Sequence, residues 1–183
     1  MVSYYLKLIT IGDVGDVVEE VKEAAKCMNL NVVSMLRASA PSNAFDSVRQ
    51  QYLADRLLEH IARLYRESLN EVLLLVADVD AYVHGLNFVF GIALPYLGAA
   101  AVFLPRLRYF ADQDRFRRRI RKEVLHELGH VFGLEHCMTP GCVMNFSNSV
   151  FDVDAKMDAF CHRCVKMLQR SGVKVDVRCI LSL

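Results

Sequence analysis

The stretch HELGHVFGLEHCMTPGC, from His126 to Cys142, gathers three histidines, two glutamates and two cysteines. On a helix, His126 and His130 lie one turn apart and face the same way, so both imidazoles can meet one zinc ion without bending the backbone. Glu127 stands beside the first ligand, placed to hydrogen-bond a water on the metal and not the metal itself. Zinc brings the pKa of such a water to about 7, and the glutamate takes its proton as general base. Alone, H-E-x-x-H is a weak signal, because any amphipathic helix with surface histidines can carry it. Gly133 strengthens it: a residue free to adopt positive φ lets the chain turn sharply off the helix. His136 then returns as a third ligand from another direction. Three histidines leave the fourth position of zinc open, the arrangement of a catalytic site. Glu135 has no partner in this pattern and reads as a solvated loop residue.

Four cysteines follow in two close pairs, Cys137 with Cys142 and Cys161 with Cys164. The spacing C-x4-C-x18-C-x2-C supplies four thiolates, enough for a closed tetrahedral zinc. Closed coordination leaves no place for substrate, so this second metal is structural. The competing reading is four separately buried thiols. His162, inside the last pair, reads as exposed. Two zinc ions per chain are therefore expected, with ligand sets that abut at His136 and Cys137. Cys27 and Cys179 stand alone and read as small buried apolar groups, since a cytoplasmic chain argues against disulfides.

These residues need elements to position them. The run DQDRFRRRIRKEVLHELGHVFG places Phe116, Ile120, Val124 and Leu128 four apart, which predicts a long helix with one buried face, capped by Asp112 or Asp114 and stopped at Gly133. The basic residues of RFRRRIRK read as its solvated face. Tyr4–Ile11 and Leu30–Leu36 read as strands with a helix between them. A long helical stripe runs from about Asp46 to Ser68. Glu71–Asp80 holds a continuous apolar run, as in a strand covered on both faces. LNFVFGIA and AAAVFLP read as two more strands, the second an edge strand near Ala99–Leu104 because it meets Pro105. Residues 134–160 lose hydrophobic periodicity and read as irregular loop ordered by metal. Cys161–Ser171 reads as a short helix and VKVDVRCIL as a final strand.

Composition sets the remaining bounds. The chain has 183 residues, 54% of them hydrophobic, which suits one domain with a sizeable core. Its 22 basic and 21 acidic residues give a net charge of +1, with no global pull toward nucleic acid or anionic membrane. The N-terminus lacks the basic and apolar regions of a secretory signal. The longest apolar stretch, Ile92–Leu104, is interrupted by Pro95 and Gly98 and is too short to span a bilayer. A cytoplasmic monomer is expected, with no propeptide to be processed. Asp78 and Asp80 read as turn-shaping residues and His84 as an exposed loop histidine.

The pattern over His126–Cys164 resembles the metzincin peptidases, and more narrowly the archaemetzincins, in which the four-cysteine cluster starts directly after the third histidine. ADVDAYVHGLNFVFGIA and QQYLADRLLEHI resemble that family too, so the likeness spans nearly the whole chain. The resemblance implies an α/β (α+β) zincin-like fold: a mixed twisted sheet with long helices, the zinc helix among them. A single domain over residues 1–183 would divide at about residue 133. An N-terminal subdomain would end with that helix, and a small irregular C-terminal subdomain, residues 134–183, would carry the four-cysteine zinc. The cleft would lie between them. Met144 matches the family's Met-turn, an apolar floor beneath the histidines. In astacins a tyrosine two residues after this methionine reaches the zinc; Phe146 occupies that position here and has no hydroxyl. The resemblance implies a zinc-dependent metallopeptidase acting on peptide or protein substrates. The alternative is a zinc-binding interaction module working through the four cysteines. An intact Glu127 counts against it, because a purely structural site has no use for a general base.

Overall fold

The computed structural model describes residues 3–182. The expected sequence ranges that begin at residue 1 and end at residue 183 therefore extend slightly outside the described residues. Five strands form one mixed sheet: β1 (Tyr5–Ile11), β2 (Val32–Arg37), β5 (Glu71–Ala77), β7 (Gly91–Leu94) and β8 (Ala99–Phe103), in the spatial order β2-β1-β5-β8-β7. The first four positions are parallel, and β7 runs antiparallel to β8. Every residue of β5 is buried, as its unbroken apolar sequence requires of a central strand. Three short strands, β3 (Phe45–Asp46), β4 (Gln51–Leu53) and β6 (Ala81–Tyr82), make a second small sheet.

Each face of the large sheet carries a core. On one face α2 (Ala54–Tyr65) buries Leu57, Leu58 and Ile61 against Leu73, Leu75 and Ala101. On the other, α1 (Val17–Cys27) and α4 (Gln113–Val131) pack side by side over Leu74, Val76 and Val102. The long helical stripe thus starts later than its sequence suggests, because Gln51–Leu53 pairs as strand and Asp46 is used in a tight turn, accepting from the N–H groups of Val48 and Arg49.

Several expectations from sequence change in the fold. Ala99–Leu104 is not an edge: β8 lies between β5 and β7, and the edge strand is β7. Pro105 belongs to the first turn of a short helix, α3 (Leu104–Leu107), where a missing N–H costs nothing. Residues 134–160 are not wholly irregular. Ser149 and Asp152 form a reciprocal capping box that starts α5 (Val150–Ala155). The expected helix near Cys161–Ser171 is α6 (His162–Arg170). VKVDVRCIL is not a strand; it forms a 3-10 turn at Val177–Cys179 and a single bridge between Phe160 and Ile180.

Cys27 and Cys179, read from sequence as separate apolar groups, form a disulfide. The 3-10 turn packs on the end of α1, where Asp176 N–H donates to Cys27 O at 2.8 Å. That docking leaves the two Cα atoms 5.7 Å apart, within the span a disulfide bridges.

The basic face of α4 is less solvated than its sequence suggests. Arg119 is fully buried, paired with both oxygens of Asp154 and donating to the carbonyls of Leu107 and Tyr109. Lys122 caps the end of α5 through the carbonyls of Val153 and Asp154. Arg117 pairs with Asp16, and Arg121 with Glu20 and Asp158. From Lys122 to Gly129 every residue of α4 is buried. One side faces the sheet and the other is covered by the C-terminal residues, so this half of the helix has no solvent face.

Candidate metal centre

The three histidines converge. α4 delivers His126 and His130 from successive turns. Phe132, Gly133 and Leu134 then end the helix with paired bonds, Gly133 N–H to His130 O and Leu134 N–H to Gly129 O. Gly133 sits at φ +89°, a left-handed conformation that favours glycine, and the reversal brings His136 back to the other two rings. Ring centroids of His136 lie 5.3 Å from His126 and 5.0 Å from His130.

Backbone carbonyls fix which nitrogen of each ring faces inward. His126 Nδ1 donates to Val143 O at 2.9 Å and His130 Nδ1 donates to Leu134 O at 2.6 Å. A carbonyl only accepts, so Nδ1 carries the proton and Nε2 keeps its lone pair in the neutral ring. The two Nε2 atoms face each other at 3.1 Å. Two lone pairs at that separation repel unless a cation lies between them. Nitrogens about 2.0–2.1 Å from one tetrahedral zinc stand about 3.3 Å apart. Burial holds the imidazoles of His126, His130 and His136 below the ordinary range, with the nearby Lys156 ammonium acting in the same direction. Neutral rings with converging lone pairs suit a metal, and one ligand atom from each lies within 4.8 Å of the others.

The same test suits the cysteines. Cys137 Sγ lies 3.7 Å from Cys161 Sγ, and Cys142 Sγ lies 3.8 Å from Cys164 Sγ. Sulfurs about 2.3 Å from a tetrahedral zinc are about 3.8 Å apart. All four are buried and mutually within 4.8 Å. Contact with Cys164 pulls the Cys142 thiol below its ordinary value, and the N–H of Cys161 adds to the effect. His162 is exposed and outside the cluster.

The loop between the two clusters ties them together. Cys137 N–H donates to Met144 O, and Val143, which orients His126, donates its N–H to Ala159 O. Met144 is fully buried, and its sulfur packs against Gly129 so closely that an added Cβ there would come within 2.5 Å of it. Phe146 turns its ring edge-on to His136 at 5.0 Å.

A cleft of about 450 Å³ opens above the histidines. β7 and the segment leading into it form one wall, and Phe146, Ser147 and Asn148 the other. Glu127 lies at its floor. Burial raises its carboxyl well above the ordinary range, and the Glu123 carboxylate adds to that rise. Glu135 lines the cleft and is exposed. Asp78 and Asp80 lie elsewhere, paired with Arg108 and Arg106. His84 packs edge-on against Tyr82 and does not line this cleft.

Four residues here escape the sequence reading. Gly91 backs onto Glu127, and an added Cβ would come within 2.6 Å of its Cγ and Oε1. Gly129 makes room for Met144. Glu123 lines the cleft one turn before Glu127, a position its spacing could have signalled. Lys156 pairs with Glu123 at 2.9 Å, a contact across 33 residues that no local pattern announces.

Comparison with known proteins agrees with this geometry. The sequence model of peptidase family M54 matches residues 10–170. The archaemetzincin of Pyrococcus furiosus is 43% identical over 147 residues, covering 78% of this chain and 77% of that one. The crystal structure of the Methanopyrus kandleri archaemetzincin superposes with a TM-score of 0.83 at 36% identity, over 92% of this chain and 95% of the other. A zinc-dependent peptidase from Methanocorpusculum labreanum gives 0.78 at 30% identity, over 89% and 99%.

Proposed function

Because the chain belongs to peptidase family M54, the archaemetzincins, and is a zinc metallopeptidase, we propose that it hydrolyses peptide bonds in the cleft above His126, His130 and His136, with Glu127 as general base. The facing Nε2 atoms of His126 and His130 carry this reading. His126, His130 and His136 would hold a zinc ion, which when bound would supply polarisation of a scissile carbonyl and acidification of a water. Glu127 accepts a proton from the attacking water and hands it to the leaving amine. A carboxyl whose affinity for protons is raised by burial suits both halves of that transfer. The Val143 and Leu134 carbonyls hold the two helix rings in the ligating tautomer. An extended peptide laid along β7, the edge strand beside Glu127, would add a strand to the sheet and present its carbonyl to the histidines.

Cys137, Cys142, Cys161 and Cys164 hold a second, structural zinc, making two per chain. Met144 floors the histidines as a Met-turn. The chain divides at about Gly133 into an upper part ending with the zinc helix and a lower part carrying the Met-turn and the cysteines. Among the described residues no helix is long and apolar enough to cross a membrane.

Glu127→Gln tests the assignment. Glutamine keeps the size and a hydrogen bond but cannot take the proton. The variant should keep its fold and metal content while peptide hydrolysis falls about 10²–10⁴-fold. His136→Ala should instead lose metal. Equal hydrolysis by wild type and Glu127→Gln, measured across a broad peptide library, refutes Glu127 as base.

A further inference from the structure

We infer that Lys156 is a positioning residue of the metal centre: paired with Glu123, its ammonium holds the start of the cleft wall against the zinc helix and keeps the His126 Nδ1–H turned to its carbonyl. The inference rests on the reading of His126, His130 and His136 as zinc ligands, and on no step of the hydrolysis.

Lys156 follows α5 directly, and the chain beyond it runs beside the segment that carries Met144: Met157 N–H donates to Gly141 O at 2.9 Å and Val143 N–H to Ala159 O at 2.8 Å. The Lys156 ammonium lies 2.9 Å from Glu123 Oε1, donates to Asn145 O at 3.4 Å and stands 3.5 Å from His126 Nδ1. Both members of the ion pair are buried, and Lys156 does not line the cavity. Three other ties join α4 to residues 153–158: Arg119 with Asp154, Lys122 with the carbonyls of Val153 and Asp154, and Arg121 with Asp158. Of the four, the Glu123–Lys156 pair is the one whose charge also stands beside a histidine of the centre.

Asn145 immediately precedes Phe146, Ser147 and Asn148, the cleft wall that faces β7. A tie from its carbonyl through the ammonium to Glu123 sets how far that wall stands from α4. The same charge restrains the ring. His126 Nδ1 donates to Val143 O at 2.9 Å, and an N–H cannot accept from an ammonium. A cation 3.5 Å away repels the positive end of that N–H dipole, so rotation of the ring away from Val143 O is opposed. His126 Nε2 then stays facing that of His130. An apolar side chain in place of Lys156 would fill the space and supply neither restraint.

Glu123→Leu combined with Lys156→Met tests this, because an apolar pair of similar volume removes both charges and orphans neither. Chelator competition reads the zinc affinity of the more labile site. The visible spectrum after cobalt(II) replaces that ion reads the ligand geometry, and a thermal melt of the metal-free protein reads stability. The double variant should hold labile zinc about 10–100-fold more weakly and shift the cobalt bands, while melting near the wild-type temperature. Asp154→Asn is the control: it weakens the Arg119 pair between the same two elements and touches no histidine of the centre. It should melt lower and keep the wild-type zinc affinity and cobalt spectrum, so loss of stability and loss of positioning are read apart even if the double variant also melts lower. Wild-type affinity and spectrum in the double variant overturn the inference, whatever its stability. So does an equal loss of affinity in Asp154→Asn, which would reduce the pair to ordinary docking of α5. A wild type with no labile zinc overturns the inference together with the histidine reading. Hydrolysis enters none of these measurements, so failure of the peptidase reading shows separately, as a wild type that binds zinc and cleaves no peptide.

Discussion

Gly91→Ala should disable the cleft through a single methyl group. Gly91 opens β7 and pairs with Val102 of β8. Its φ is not in the left-handed region, so alanine is allowed by the backbone and any effect is steric. The new Cβ would lie 2.6 Å from both Cγ and Oε1 of Glu127 and 2.7 Å from Ala101 O. Ordinary carbon contacts begin near 3.5 Å, so close to an ångström must be recovered. Ala101 O belongs to the backbone of an interior strand and cannot yield. Glu127 must move, or β7 must peel from β8. Overpacking of this kind costs about 1–3 kcal/mol of stability, and displacement of a catalytic group by about 1 Å can cost about 10²-fold in rate. We expect kcat/KM to fall by at least that factor while metal content stays at the wild-type level, since no histidine is touched. Steady-state hydrolysis, a thermal melt and metal analysis together separate the two routes. A Gly91→Ala protein with wild-type kcat/KM would refute the contact between strand and base.

Further outcomes follow from other contacts. Gly129→Ala should lower the melting temperature and the affinity for the more labile metal, because Met144 Sδ would lie 2.5 Å from the new methyl; chelator competition showing unchanged affinity would refute a Met-turn seated on this glycine. The purified protein should carry two zinc ions, one much harder to remove, and Cys161→Ser should lose the tightly held one and destabilise the fold more than His130→Ala; metal analysis after mild chelation, paired with melts, would expose a single site. In metal-free protein, burial holds the three imidazoles below their ordinary value. Their stabilisation is complete above the unfolded value of about 6.5 and is lost as pH falls through the lower folded values. Glu127, whose folded value is raised, has the opposite sign, so Glu127→Gln is the protein to melt; a melting temperature that does not fall between pH 7 and 5 contradicts this.

The convergence of the three histidines and of the four cysteines was legible because metal coordination would dictate residue type and spacing together. His126, His130 and His136 had to be histidines at a helical turn and a glycine-turned return, and no packing demand mimics that pattern. β5 was legible for a related reason, since a strand covered on both faces can only be apolar. Order within the sheet was not. Nothing in AAAVF says that β7 closes outside it, and Pro105 fits an edge strand and a first helical turn equally well. The capping box of α5 lay in plain view at Ser149 and Asp152, hidden by the expectation that metal alone ordered the segment. Arg119 looked like a member of a charged helix face, and Glu123 drew no reading at all. Their burial depends on a C-terminal half folding over them, which helix periodicity cannot register. Cys27 and Cys179 are separated by 152 residues, and only the docking of the last turn on α1 makes them neighbours.

That bond closes residues 27–179 into a covalent ring holding the three histidines, the four clustered cysteines and every strand of the large sheet except β1. Cross-linking so long a loop restricts the unfolded chain by about 5 kcal/mol in the chain-entropy description. Timing is constrained as well: Cys179 follows α4 and the cysteine loop in the chain, so the ring can be sealed only after both have been synthesised. From Cys179 the closure passes directly inward, since its carbonyl accepts from Phe160 N–H, and the next residue is Cys161. A peptidase that cuts itself in any exposed loop between residues 27 and 179 would remain one molecule until reduced. Such a nick would show as two bands only in reducing gels, while the ring held the severed ends in register.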